Sequence, residues 1–159
     1  MKSREGGRLW QAGVGVLLAG ILGAVGQPAA AQRPVRKPCK AAVRAQAVAC
    51  IDIPREGITL AGPNVRVVLK AAGIEIAAVA QGKAGAAHFH VFLDVDLPPT
   101  GDAIPQGAGI THLGSGQKEL ILENLAPGVH RLIVVLGDNG HIPVPRQQSD
   151  TTYFSVAKT

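Results

Sequence analysis

Along most of this chain apolar and polar side chains alternate with a period of two, the repeat of a β-strand whose two faces meet different surroundings. The run "NVRVVLK" sets Val65, Val67 and Leu69 against Arg66, Val68 and Lys70, and "QKELILEN" sets Leu120 and Leu122 against Glu119, Ile121 and Glu123. "VACIDI", "GIEIAAVA", "HFHVFLDV", "VHRLIVVLGD" and "TTYFSVAK" read as further strands, the first ended by Pro54 and Gly57. The turn "LAPG" predicts that "VHRLIVVLGD" returns antiparallel on "QKELILEN" as a hairpin partner. No helical period and no internal repeat is visible. About seven short strands with turn signals at regular spacing predict an all-β chain, a single antiparallel β-sandwich of immunoglobulin- or cupredoxin-like architecture.

Two irregular stretches interrupt the alternation. "DLPPTGDAIPQGAGI" is too long a connection to be idle in a compact domain, and "NGHIPVPRQQSD" precedes the final strand. "HLGSGQ" holds Gly114-Ser115-Gly116, which lacks the strand–turn–helix setting of a nucleophile elbow and matches no phosphate loop. A tight turn into the next strand accounts for it.

The N-terminus belongs to a different class of sequence. "MKSREGGR" is a basic segment, "LWQAGVGVLLAGILGAVG" an apolar run, and "QPAAAQ" carries the small-x-small pattern of a signal peptidase site, with Ala29 and Ala31 as the small pair. Residues 1–31 are expected to be a cleaved signal peptide, residues 32–47 a basic linker and residues 48–159 the β-sandwich domain. An uncleaved membrane anchor is the alternative. A lipid anchor is disfavoured because Cys39 follows "RPVRKP" instead of the apolar run. The expected location is periplasmic or secreted, with no stable membrane insertion after cleavage.

Setting that segment aside relocates the charge. The whole chain is +5, but from Ala45 onward eight Lys and Arg face ten Asp and Glu, a balance of about −2 with neutral histidines. Nucleic-acid binding wants a basic face with stacking aromatics. Beyond the signal the only aromatics are Phe89, Phe92, Tyr153 and Phe154, so that class of partner is excluded. Cys39 and Cys50 form an even pair in an exported chain and read as a disulfide tying the linker to the first strand. Two free thiols or a metal-binding thiol pair are the alternatives.

The chemistry concentrates in the five histidines. His88 and His90 alternate with apolar residues, so both project from one face of their strand, with Cβ atoms about 6.5–7 Å apart. That separation lets two imidazoles converge on one ion with metal–nitrogen bonds of about 2 Å. His112 lies just before "QKELILEN" and His141 just after "VHRLIVVLGD". If the His88 strand also pairs antiparallel with the returning strand, His88, His90, His112 and His141 gather at one end of the sandwich and His130 falls at the other. The first four are the candidate metal ligands, with Asp102, Asp138 and Asn139 as neighbouring donors. His130 is expected to be a structural histidine bonded to a carbonyl, and Asp94 and Asp96 to be solvated or to cap their loop. An imidazole-rich site suits copper, zinc or nickel, and the intrinsic affinity order favours Cu(II). A blue-copper site is excluded, because the only Met is the initiator and neither Cys lies near the histidines.

The order of "AHFHVFLD", "LPPTGDAIP", "ITHLGSGQKELILENLAPGVHRLIVVLGDNGHIP" and "FSV" resembles an exported bacterial family classed as a domain of unknown function, DUF4399, over about residues 48–157. The resemblance implies that all five histidines occupy positions where the family carries histidine, and it implies the fold and the exported location. It implies no activity. Where the family's strand opens with further histidine this chain has Ala86 and Ala87, and where its loop ends in a second histidine this chain has Val144 and Pro145.

Three readings of function follow. The first is a non-enzymatic periplasmic protein whose His cluster binds copper or zinc for storage, delivery or sensing. The second is a structural or interaction module of the cell envelope whose histidines order its loops; its protein partner is not specified by the sequence. The third is a small metalloenzyme, which needs an open metal position and a placed general base. Glu119 and Asp138 are its candidate bases.

Overall fold

The computed structural model describes Cys39 and residues 47–158; the expected signal peptide and nearly all of the basic linker lie outside the described residues. The described residues are all-β, with ten strands and one turn of 3-10 helix at Val79–Gln81. Three strands have only two residues: β2 (Thr59–Leu60), β4 (Glu75–Ile76) and β9 (Gln147–Gln148). Seven are longer: β1 (Ala47–Ile53), β3 (Val65–Ala72), β5 (Ala86–Leu93), β6 (Ile110–Leu113), β7 (Glu119–Leu122), β8 (Gly128–Gly137) and β10 (Asp150–Val156).

The strands form two sheets. One has the order β7-β3-β1-β9; the other has the order β2-β10-β8-β5-β4, with β6 paired to β5. Their facing sides share one core. Ala47, Ala49, Val65, Val67, Leu69 and Leu122 from the first sheet meet Phe89, Val91, Leu132, Val134, Leu136 and Phe154 from the second. These are alternate residues of their strands, so the period of two in the sequence is the direct cause of the layering. The longer strands pair antiparallel throughout, whereas β4–β5, β1–β9 and β2–β10 are parallel, so the sheets are mixed where a purely antiparallel set is expected.

Two expectations fail. The run "GIEIAAVA" is not one strand: only Glu75 and Ile76 pair, and the chain then makes its 3-10 turn. Nor do β7 and β8 form a hairpin, since β7 pairs with β3 in one sheet and β8 with β5 and β10 in the other. The connection between them is an arch. Asn124 adopts a left-handed backbone (φ 56°), Leu125 is buried in the core, and its N–H donates to the Pro63 carbonyl. An apolar anchor inside the turn pulls the chain from one sheet to the other.

The second sheet is covered on its outer side as well. Phe92, Ile133 and Val135 project there and bury against Ile104, with Val95 and Ile110 packed beside them. The covering layer comes from the two irregular stretches, joined to each other where the Ile104 N–H donates to the His141 carbonyl. This covered outer face is where the histidines lie. In the other sheet a disulfide joins Cys39 to Cys50 of β1.

Candidate metal centre

His88, His90 and Phe92 are alternate residues of β5 and share its outer face, Phe92 in the small apolar cluster and the two imidazoles next to it. β6 brings the third histidine: His90 and His112 are directly paired across β5 and β6. β6 was not expected from the sequence, and His112 therefore sits beside His90 instead of at the start of β7. The fourth comes from the loop after β8. His141 adopts a left-handed backbone (φ 62°), uncommon for a residue with a Cβ. Its N–H donates to the Asp138 carbonyl, and Asp138 Oδ1 accepts from the backbone N–H of Gly140 (2.8 Å) and Ile142 (3.0 Å). Asp138 thus builds the turn that turns His141 back over the sheet, and strain of this kind persists only where surrounding bonds hold it.

All four expected histidines come together. Each offers one ring nitrogen, and these four atoms lie within 4.8 Å of one another. Nε2 of His90 is 2.8 Å from Nε2 of His88, and Nε2 of His141 is 3.2 Å from Nε2 of His112. A tetrahedral ion with bonds of about 2.0–2.1 Å holds its nitrogens roughly 3.3–3.4 Å apart, so the His141–His112 pair at 3.2 Å already has that spacing, and the group as a whole, within 4.8 Å, lies close to it. His88 and His90 are buried, His141 is half-buried and His112 is exposed, so the group has a closed side and an open side.

Two glycines make room for the rings. Gly137 pairs with His88 across β5 and β8, and a Cβ there would stand 2.8 Å from Nε2 of His90. A Cβ on Gly114 would collide with the His112 ring. In the sequence Gly114 reads as part of a tight turn and Gly137 as part of a strand, and only the pairing of β5 with β6 and β8 reveals what they do.

Burial and mutual repulsion hold three of the rings, His88, His90 and His112, toward the neutral form. Burial, then the nearby charges of His112 and His141, lower the His88 pKa to about 4 against a smaller opposing effect of Asp138. Burial, then His88, His112 and His141, lower that of His90 to about 3. His112 is also lowered, by burial first and by His141 second. Neutral imidazole is the form that ligates a metal. Neither Nδ1 of His88 nor that of His90 has a hydrogen-bond partner, so packing, and not the usual carbonyl or carboxylate contact, fixes these ring planes.

His130 is a contrasting case. It lies near the start of β8, on the inner face beside Phe154. Its Nδ1 is 2.7 Å from Asp94 Oδ2 and its Nε2 is 2.8 Å from the Ala126 carbonyl oxygen. It is the carbonyl-bonded histidine the sequence suggests. Asp94 is not merely solvated, because it also accepts from the Arg131 N–H (2.7 Å), while Asp96 pairs with the Arg131 guanidinium. Glu119 bonds Arg66 on the other sheet, away from the histidines. Asn139 donates to the Lys83 carbonyl, and the Asp102 N–H closes a turn onto the Pro99 carbonyl. Ser115 bonds Gln117 within a turn, consistent with a turn and not a nucleophile.

The sequence profile of a domain of unknown function (DUF4399) matches residues 67–157. A search of curated proteins gives no match. Among solved structures, an engineered protein determined at 1.98 Å resolution is similar at a TM-score of 0.44 and 13% identity over 74% of this chain. The chain spans only 21% of that protein's length.

Proposed function

The chain belongs to the DUF4399 family, whose designation carries no activity, and we propose from its own residues that it is a transition-metal-binding protein with His88, His90, His112 and His141 as the ligands. One observation carries this reading. Histidines that serve only to order loops bond backbone carbonyls and carboxylates, as His130 does, whereas these four direct ring nitrogens at one another within 4.8 Å. A neutral imidazole pair can share at most one N–H across each contact, whereas a cation between the four nitrogens accepts a lone pair from every ring. Four neutral nitrogen donors favour Cu(II) over Zn(II) in the intrinsic affinity order, and both fit the donor set. The described residues contain no free cysteine, which excludes a thiolate site there. Storage, delivery or sensing of the ion fits a centre with two ligands toward solvent.

The protein works, in this proposal, outside the cytoplasm in the periplasm or as a secreted chain. The Cys39–Cys50 disulfide supports this, since such bonds persist in oxidising compartments. No helix among the described residues is long and apolar enough to cross a membrane.

A second reading has one observation behind it. The His141–His112 contact ties the loop after β8 to β6, as a loop-ordering module of the envelope would require. Isothermal titration of the metal-stripped protein with Cu(II) and with Zn(II), beside the His88→Ala/His90→Ala variant, separates the two. The metal reading expects one-to-one binding that the variant weakens about 100-fold or more. Weak multi-site binding that the variant leaves unchanged overturns it and leaves the loop-ordering role.

A further inference from the structure

A cavity of about 370 Å3 opens beside the centre. His90, His112 and His141 form part of its wall; His88 lies behind them and does not line it. The rest of the wall is largely apolar, with Ala103, Ile104, Pro105 and Ile110, and Gln106 is the one other polar side chain on it. An ion held by the four histidines would therefore present one face to this space while the opposite face is closed by β5.

Charge decides what that space would hold. Four neutral imidazoles contribute no negative charge, so a divalent ion among them keeps its full +2 in a partly buried setting, which is costly unless compensated. No Asp or Glu lines the cavity. The carboxylate that acts on this group is Asp138, felt at His88 on the closed side, and its Oδ1 is already occupied by two backbone N–H groups. One carboxylate offsets at most one of the ion's two positive charges, so the other has to be met from solvent.

We propose that this cavity is an anion subsite, in which a small monovalent anion of the size of azide or formate binds as a further ligand of the metal on the side of His112 and His141. The largely apolar wall favours a weakly hydrated anion, and Gln106 on that wall can supply an amide N–H to the anion's outer end. The proposal rests on the metal-binding reading above.

The test titrates sodium azide into the Cu(II)-loaded full chain and follows visible absorption and electron paramagnetic resonance. The expected result is a saturable azide-to-copper charge-transfer band at one azide per copper, with a matching change in the copper resonance. Ala103→Trp, which fills the cavity, should abolish the band while leaving the copper titration unchanged. Gln106→Leu should weaken azide about tenfold, and it serves if the tryptophan variant fails to fold. A copper spectrum that azide leaves unchanged overturns the anion subsite and spares the metal reading. So does a band retained in both variants, or copper stripped into the filtrate by azide. Absence of any copper signal before azide is added overturns both.

Discussion

Gly137 stands opposite His88 in the β5–β8 pair, and a Cβ there would lie 2.8 Å from Nε2 of His90. Its backbone dihedrals are ordinary, so space alone demands glycine. Gly137→Ala should push the His90 ring away from the convergence point, with a stability cost of about 1–3 kcal/mol from overpacking. Copper affinity should fall about tenfold or more while the circular dichroism of the fold is retained. An affinity equal to that of the unmodified protein, measured by titration, would show that His90 does not need its present position.

The fold was legible where alternate residues have one partner layer. β3, β5, β8 and β10 lie close to where their patterns predict, and the four histidines were correctly grouped from strand direction. That grouping survived an error. The route to His112 ran through a β7–β8 hairpin, yet His112 arrives on β6, a four-residue strand hidden in a Gly- and Pro-rich stretch where composition outweighs period. The hairpin failed because a turn signal specifies a reversal but not which sheet receives the next strand, and burial of Leu125 settled that. One further signal was present in "LIVVL" of β8, whose residues Leu132 to Leu136 are buried on both faces. An unbroken apolar run marks a strand covered on both sides, and here it announced the loop layer over the outer face. The roles of Gly114 and Gly137 required the pairing itself.

Asp138 should matter to the metal through the turn it builds. Asp138→Ala removes the acceptor for the Gly140 and Ile142 N–H groups and releases the left-handed backbone of His141. The expected loss in copper affinity is about tenfold, equivalent to about 1.4 kcal/mol, with little change in unfolding midpoint, because the loop lies outside the main core. Asp138→Asn keeps an acceptor oxygen and loses only the charge, so its affinity should lie between the two. Equal losses in both variants would put the charge, and not the turn, in control.

Acid should weaken both the metal-free fold and the metal site. His88 and His90 have folded pKa values of about 4 and about 3, below the ordinary imidazole value of 6.5. The unfolded chain therefore binds more protons in this window, and stability present above pH 6.5 is lost as pH falls toward the folded values. Each histidine contributes a slope approaching about 1.4 kcal/mol per pH unit where only the unfolded form is protonated. Urea unfolding of the metal-free protein from pH 7 to 4 should show this decline, reduced in the His88→Ala/His90→Ala variant. A variant with an undiminished slope would place the acid sensitivity elsewhere. Copper affinity should fall only at the acid end, as pH nears the His88 value of about 4 and protons compete for the folded protein's own nitrogens.

His130 should behave in the opposite sense. Both of its ring nitrogens face acceptors, the Asp94 carboxylate and the Ala126 carbonyl, and only imidazolium donates at both. Burial lowers its pKa, but the Ala126 hydrogen bond and then the hydrogen bond and charge of Asp94 outweigh it, leaving the pKa raised. The bond's contribution is thus complete below pH 6.5 and disappears as pH climbs through the folded value. With Asp94 half-exposed and screened, it amounts to about 1 kcal/mol. Asp94→Asn should lower the His130 pKa followed by NMR and flatten the loss of stability on the alkaline side, while copper binding on the opposite face of the sheet stays unchanged. A His130 pKa that ignores the Asn variant would mean that the Ala126 carbonyl alone holds the proton.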